Sequence, residues 1–281
     1  MTYLSSIHPF GKLRVLLKSA IVKSIISMHI SKKLLLIIVP VVLILAYLFG
    51  QKRNINPQTN GQIVDSRQNQ TQINYQGEDY TIVWAKVNDT AKLKLIPNFE
   101  ESLSPSEIAE EHGCELVVNG GFYDTDTSPI GLFVHEGDIL GVRVSNKILN
   151  GIFYVTTSGM AVVSRDVPNE EARIALQTGP ILMEKGSKSI AELNTDKPAR
   201  RIFLAILEDG DLIFGVVMKD TSVYDGPYLE YLPDIILMLD EENDLGIDSA
   251  INLDGGTASV FYSDSVNIPP LSPVGSYFCI M

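Results

Sequence analysis

Two stretches of the sequence place a polar side chain and a pair of glycines directly after an apolar run. The first is Asn-Gly-Gly at residues 119–121, and the second is Asp-Gly-Gly at residues 254–256. A glycine pair allows a sharp reversal of the chain with its backbone exposed, and exposed N–H groups can bind an anion. Each stretch therefore presents a polar side chain at the tip of a strand, and Asp254 supplies a carboxylate for nucleophilic or acid–base chemistry.

An isolated motif of this kind is most often a hairpin turn. Residues 122–129, however, continue as an irregular polar segment and do not rejoin an alternating strand. Each stretch also follows a helix-like segment that ends at a glycine, Gly113 or Gly246. The repeated order of elements favours a functional role for both tips and leaves the simple turn as the alternative.

The elements around these tips predict an α+β fold, in which a mixed, largely antiparallel sheet system is flanked by helices. Hairpins are predicted at residues 130–144 and 201–218, each around a turn that contains glycine. Ser104, followed by proline and by Glu107, predicts a short capped helix. A second helix is predicted from about residue 228 to 245. The break at residues 177–180 is interpreted most simply as a β-bulge.

Composition and motifs exclude several classes of protein. The 281 residues carry a net charge of −12, with 22 basic and 34 acidic side chains. Six of the basic residues precede residue 51, so the rest of the chain is more acidic still, and nucleic acid is not an expected partner. The sequence contains no P-loop, dinucleotide-binding glycine motif, HExxH, paired CxxC or GxSxG, which argues against the common nucleotide, zinc and serine-hydrolase sites.

The first part of the chain predicts a membrane anchor. Residues 1–31 are a basic cytoplasmic segment, residues 32–50 a transmembrane helix, residues 51–78 a flexible polar linker and residues 79–281 the extracytoplasmic domain. The excess of basic residues before the apolar run places the N-terminus in the cytoplasm. A cleaved signal peptide is the alternative to an uncleaved anchor, and Met28 is an alternative start.

The two cysteines, Cys114 and Cys279, leave two interpretations open. Outside the cytoplasm they could form a disulfide, whereas both also lie in apolar sequence that suits separate buried thiols.

Five motifs in this order resemble those of the phosphodiester glycosidase family. They are NGGFYD at residues 119–124, PIGLF at 129–133, QTGPIL at 177–182, Arg201 in ARRIFLAI, and NLDGGTAS at 252–259. The resemblance covers roughly residue 80 to the C-terminus. It implies an extracytoplasmic hydrolase that cleaves a glycosyl phosphodiester, with a glycan or sugar phosphate as substrate.

The sequence departs from the family pattern in two places. Ile202 stands where the family usually has threonine, and Thr257 and Ala258 stand where it often has glycine and serine. The hydroxyl on the phosphate side is therefore expected from either Thr257 or Ser259.

The released phosphate monoester is a good leaving group because its second pKa is about 6. One arginine and one carboxylate could then suffice, so Arg201 is expected to hold the phosphate and Asp254 to act as nucleophile or base. Asn119 is expected to orient the substrate and Asp124 to serve as a reserve acid or base. The expected substrate-binding positions are Gly120, Gly121, Gln177, Gly179, Gly255, Gly256, Thr257 and Ser259.

Two other functions are compatible with the same fold. One is a catalytically silent module of the cell envelope that binds glycan or assembles with a complex, and the other is a phosphodiesterase that cuts the other P–O bond. No cofactor or metal is expected. Asp124 and Asp126 could hold Ca²⁺, but two carboxylates alone do not support a calcium site.

Overall fold

The computed structural model describes residues 68–124, 128–189 and 196–281. The predicted cytoplasmic segment, membrane anchor and residues 51–67 of the predicted linker lie outside these ranges. No helix within the described residues is both long and apolar enough to cross a membrane.

The largest sheet has seven strands in the spatial order β1-β2-β13-β12-β14-β10-β11. Its strands are β1 (Gln68–Tyr75), β2 (Glu78–Val87), β10 (Ile181–Glu184), β11 (Ser187–Lys188), β12 (Arg201–Leu207), β13 (Leu212–Lys219) and β14 (Ile247–Asn252). β14 lies between β12 and β10, so the strand that leads to Asp254 is buried inside this sheet.

Two five-stranded sheets make up the rest of the β-structure in the part of the chain that the structure describes. One has the order β16-β15-β4-β17-β3 and the other the order β6-β5-β9-β7-β8. The strands are β3 (Leu93–Pro97), β4 (Leu116–Asn119), β5 (Phe133–His135), β6 (Asp138–Gly141), β7 (Gly151–Thr156), β8 (Ala161–Ser164), β9 (Ala172–Thr178), β15 (Phe261–Ser263), β16 (Asn267–Ile268) and β17 (Ser276–Ile280).

Within the described ranges, two α-helices flank the sheets, α1 (Pro105–His112) and α2 (Leu232–Asn243), together with short 3-10 turns at Thr90–Lys92, Leu229–Tyr231 and Gly256–Ala258. α1 begins at the predicted capping box, in which Ser104 accepts from the backbone of Glu107 and the Glu107 carboxylate accepts from the backbone of Ser104. Gly113 ends α1 in the left-handed conformation. The α+β class and the capped helix are therefore confirmed.

The main core lies between the three sheets and contains aromatic side chains from each, including Phe133, Phe153, Phe214 and Phe278. A second apolar cluster fills the space between the seven-stranded sheet and α2. A third lies between the β4–β17 sheet and α1. The three clusters bury both faces of the seven-stranded sheet and of the β4–β17 sheet, and this packing fixes the ends of β4 and β14.

Three features differ from the sequence-based expectation. Every strand pair in the described ranges is antiparallel, so the sheets are not mixed there. β1 lies inside the predicted linker, because a polar edge strand that buries only Ile73 lacks an apolar pattern. Residues 177–180 were interpreted as a β-bulge, but the chain there ends β9 and passes through a cis Gly179–Pro180 bond into β10.

Cys114 and Cys279 form a disulfide, which resolves the choice left open by the sequence. The bond joins the segment after α1 to β17 across 165 positions of sequence. Cys279 is fully buried, so the bond lies within the third apolar cluster.

Candidate active site

The two glycine-bearing strand tips lie against each other. The backbone N–H of Asp254 donates to the Gly120 carbonyl over 3.1 Å. Asn119 Nδ2 donates to the Asp254 carbonyl over 2.6 Å, and Asn119 Oδ1 accepts from the Val260 N–H over 2.8 Å. The two tips, distant in the chain, therefore meet, and Asn119 holds the chain on both sides of the Asp254 turn.

Asp254 and Asp124 line one cavity of about 370 Å³. Asp254 is half-buried and Asp124 is exposed. Asp124 Oδ1 also accepts from the Ser128 N–H over 2.9 Å, which is the turn-stabilising contact expected of an Asx turn. Two carboxylates thus face one space, and only Asp254 comes from the interior of a sheet.

The electrostatic setting of Asp254 suits proton transfer or nucleophilic attack near neutral pH. Burial raises the pKa of the Asp254 carboxyl to about 7, and a hydrogen bond from the Gly255 backbone opposes part of that rise. Both protonation states are therefore populated at neutral pH. A perturbed carboxyl in a cavity is characteristic of catalytic groups.

Tyr123 is a cavity residue that the sequence did not single out. Its hydroxyl hydrogen-bonds to Ser276 Oγ, and burial raises the pKa of the phenol well above its usual value. The phenol therefore stays protonated as a neutral hydrogen-bonding group beside Asp254. The tyrosine beside Asp124 carries no distinguishing pattern in the sequence, because its partner Ser276 lies 153 positions later in the chain.

Two of the four glycine N–H groups expected to bind the phosphate already donate to backbone carbonyls. Gly120 donates to the Ser276 carbonyl over 2.8 Å, and Gly256 donates to the Arg200 carbonyl over 2.7 Å. A Cβ at Gly120 would overlap Ser276 Oγ, so that glycine is required for close packing of β4 against β17.

Gln177 and Gly179 are structural rather than part of the cavity. Gln177 Oε1 accepts from the backbone of Leu132 and Val144, and Nε2 donates to the carbonyls of Val144 and Leu149. All the hydrogen-bonding capacity of this buried amide is used to hold neighbouring loops. A Cβ at Gly179 would overlap the Ile148 carbonyl. The expected substrate-binding role of both residues is not supported by their placement.

Thr257, and not Ser259, is the hydroxyl residue that reaches the cavity. Thr257 is exposed, and its Oγ1 accepts from Ser272 Oγ over 3.0 Å. Ser259 is fully buried beneath the turn. Of the two hydroxyl residues left open by the sequence, Thr257 is therefore the one that lines the cavity, together with Ser272.

The guanidinium of Arg201 does not face the Asp254 cavity, contrary to expectation. Its Nη2 donates to Asp196 Oδ1 over 2.8 Å and its Nε donates to the Pro227 carbonyl over 3.1 Å. The Arg201–Asp196 ion pair is largely enclosed, with each side chain 12% exposed. Arg201 nevertheless runs beside the turn, because its Cδ lies 3.7 Å from where a Cβ of Gly255 would be.

The neighbouring Arg200 lies directly beneath the turn. It is 1% exposed, and its Nη2 donates to the carbonyls of Ser259 and Pro269, each over 2.9 Å. Burial lowers the pKa of this guanidinium from its usual value. Arg200 thus holds the segment after Asp254 in place. The sequence alone did not distinguish this structural arginine from Arg201.

Among the described residues, no group of three or more histidine, cysteine, aspartate or glutamate side chains could hold a metal ion. Asp126, one of the two residues considered for Ca²⁺, lies outside the described ranges.

Comparison with known proteins decides the family. A sequence model described as phosphodiester glycosidase matches residues 112–281. The chain belongs to the phosphodiester glycosidase family. The matched residues contain both strand tips and the Asp254 cavity except for Asn98 and Ser102.

One curated relative is the uncharacterized protein YigE of Escherichia coli, which is 26% identical over 163 residues. The alignment covers 54% of this chain and 62% of that protein, so the chain spans less than two thirds of the relative's length.

Two solved structures share the fold. The catalytic domain of zebrafish N-acetylglucosamine-1-phosphodiester alpha-N-acetylglucosaminidase, auto-inhibited by its pro-peptide, superposes with a TM-score of 0.60 at 18% identity, over 79% of this chain and 85% of that one. A hypothetical protein from Synechocystis gives a TM-score of 0.52 at 12% identity, over 75% and 61% of the two chains.

Proposed function

We propose that the protein is a glycosidase that hydrolyses the bond between a sugar and a phosphodiester, with Asp254 acting at the anomeric carbon. The observation that carries this proposal is the Asp254 carboxyl, whose pKa is raised to about 7 in a cavity shared with a second carboxylate. Membership of the phosphodiester glycosidase family supports the reaction class.

In the proposed reaction the bond between the anomeric carbon and the phosphate oxygen breaks and water adds to the sugar. The products are a free sugar and a phosphate monoester. Because the monoester leaves with little need of protonation, the ionised Asp254 can serve as nucleophile or as base toward water. Asp124 faces the same cavity and is the second carboxylate available for proton transfer.

We propose Arg201 as the contact for the phosphate. It is the arginine whose side chain runs beside Gly255, and a guanidinium can bind two phosphate oxygens at once. In this structure Asp196 Oδ1 accepts the hydrogen bond from Arg201 Nη2. Substrate phosphate would therefore have to replace Asp196, so the ion pair and the substrate compete for the same cation.

We further propose an extracytoplasmic location on a single membrane anchor at residues 32–50, with the N-terminus in the cytoplasm. The apolar run and the basic residues before it support this topology. The Cys114–Cys279 disulfide adds support, because such bonds persist in oxidising compartments.

The test is an assay of the purified full chain on 4-nitrophenyl phosphodiesters of simple sugars, with and without EDTA. We expect release of free sugar and 4-nitrophenyl phosphate, and loss of that release in Asp254→Asn. Release of sugar phosphate would instead identify a phosphodiesterase. Binding without any turnover would identify a glycan-binding module of the cell envelope.

A further inference from the structure

A second cavity of about 430 Å³, which we call the side groove, lies beside the Asp254 cavity. Both cavities are lined by Ser102, Ser272, Pro273 and Val274, so they are neighbours that share part of their walls. The side groove runs between residues 102–107, at the start of α1, and residues 267–274. Hydrolysis of a single sugar does not require this additional space.

The side groove is lined by hydroxyl and amide groups next to proline and tyrosine rings. Its hydrogen-bonding side chains include Ser104, Ser106, Tyr262, Asn267 and Ser272. The Glu107 carboxylate is already engaged with the Ser104 N–H over 2.7 Å. Hydroxyls and amides pair with sugar hydroxyls, and the proline and tyrosine rings suit the apolar face of a sugar ring.

No lysine or arginine is present among the described residues that line either cavity. A phosphate placed in the side groove would therefore lose water without meeting a cation, which is unfavourable. An uncharged sugar does not carry this cost of removing a charge from water. The charge distribution selects a neutral carbohydrate unit for the side groove.

The walls of the groove are held in place without a ligand. Asn98 Nδ2 donates to the Val274 carbonyl over 2.7 Å, and Asn98 Oδ1 accepts from the Leu103 N–H over 2.8 Å. Tyr277 donates to the Leu103 carbonyl over 3.1 Å, and the Thr257 carbonyl accepts from the Leu271 N–H over 2.7 Å. A preformed groove loses little entropy on binding.

The positions of the cationic side chains indicate which part of the substrate lies in which cavity. This step rests on the proposed function. Arg201 runs past Gly255, whereas neither cavity contains a cation among its described residues. The phosphate therefore belongs on the Gly255 side, the reacting sugar in the Asp254 cavity and any further sugar in the side groove. We infer that the substrate is an oligosaccharide or longer glycan attached through its reducing-end sugar to a phosphodiester, and that the protein releases this glycan whole.

The test compares 4-nitrophenyl phosphodiesters of a monosaccharide, a disaccharide and a trisaccharide, built on whichever of the gluco, galacto, manno and N-acetylglucosamine monosaccharides is turned over fastest. We expect kcat/KM to rise about tenfold or more from the monosaccharide to the disaccharide. Tyr262→Ala and Asn267→Ala should remove that gain and leave the monosaccharide rate unchanged. Tyr262→Phe tests the hydroxyl alone, and Glu110→Ala, on the exposed side of α1 outside the groove, is the control.

Equal kcat/KM values for all three lengths would overturn the inference while leaving the glycosidase proposal intact. If no diester of any length is turned over, the proposed function fails, and the groove is then judged by binding. Free disaccharides and trisaccharides of the same four sugars are titrated calorimetrically into the Asp254→Asn variant. Binding that is stronger than for monosaccharides and lost in Asp254→Asn with Tyr262→Ala supports the groove, and binding with no dependence on length overturns it.

Discussion

Asn119 Nδ2 donates a 2.6 Å hydrogen bond to the backbone carbonyl of Asp254, a residue 135 positions later in the chain. The bond fixes the main chain of Asp254 and leaves its carboxylate free of that contact. Asn119 is thus a positioning residue for the proposed catalytic group, and it connects the ends of β4 and β14, which belong to different sheets. Several measurable consequences depend on this junction.

The pH dependence of activity should follow the ionisation of the Asp254 carboxyl. Because a nucleophile or base must be ionised, kcat/KM should rise with pH through about 7 and level off above it. Asp254→Asn should lower kcat by a factor of about 10³ or more while the circular dichroism spectrum is retained. A profile that falls through pH 7 would instead identify Asp254 as a proton donor.

Asp254 should also make the folded protein less stable as pH rises. Its folded pKa of about 7 exceeds the value of about 3.9 for an unfolded aspartate, so the folded state retains a proton that the unfolded chain has released. The free energy of unfolding should therefore decrease between about pH 4 and pH 7. Asp254→Asn removes this cost, and we expect it to be more stable than the wild type at pH 8 by about 1 to 3 kcal/mol.

Thermal or urea unfolding of both proteins at pH 4 and pH 8 measures the effect. The difference should be small at pH 4, where the folded carboxyl is protonated and the unfolded one has lost only about half of its protons. A difference that does not change with pH would show that the ionised carboxyl is not destabilised by burial.

Asn119→Ala should weaken both the fold and the reaction. The substitution removes the partners of the Val260 N–H and the Asp254 carbonyl, and unpaired buried groups cost about 1 to 3 kcal/mol each. We expect a lower urea midpoint and a kcat reduced by at least tenfold at temperatures where the variant is folded. Asn74→Ala, at an exposed asparagine that bonds only to Asp79 among the described contacts, is the matched control.

The competition between Asp196 and substrate phosphate can be measured by product inhibition. If Arg201 holds the phosphate, Asp196→Asn should lower the inhibition constant of 4-nitrophenyl phosphate several-fold, because the carboxylate no longer competes. Arg201→Ala should raise that constant by about tenfold or more, and Arg201→Lys should restore it only in part. An unchanged constant in Arg201→Ala would assign the phosphate to other residues.

Removal of the disulfide should lower stability with little effect on the chemistry of the site. The bond closes a loop of 165 positions, and loss of a native disulfide costs about 2 to 5 kcal/mol. We therefore expect Cys114→Ser with Cys279→Ser to unfold at a lower temperature and to retain kcat where folded. Mass spectrometry with and without reductant should show a difference of two hydrogens in the wild type only.

Patterns local in sequence predicted much of the fold. The capping box at Ser104, the hairpins around glycine turns and the strand leading to Asp254 each depend on neighbouring residues, and each is present. β1 was missed because its polar side chains carry no apolar period. Its pairing is imposed by β2, the strand beside it.

The site was predicted in position more than in detail. The two polar strand tips at Asn119 and Asp254 were recognised from their similar local sequences, whereas the direction of a long side chain depends on its final neighbours. Arg201 donates to Asp196, and the side-chain amide of Gln177 makes its hydrogen bonds to the backbone of two loops. Neither contact has a signature in the local sequence, because each joins segments brought together only by packing.

The strand β17 lies between β3 and β4, which do not pair with each other. Ser276, at its start, also accepts the hydrogen bond from Gly120 that seats the first strand tip. During synthesis, residues 93–119 must therefore wait for residues 276–280 to emerge before their sheet can close. A ribosome stalled before residue 276 would hold a chain in which the pocket around Asp254 has not yet formed.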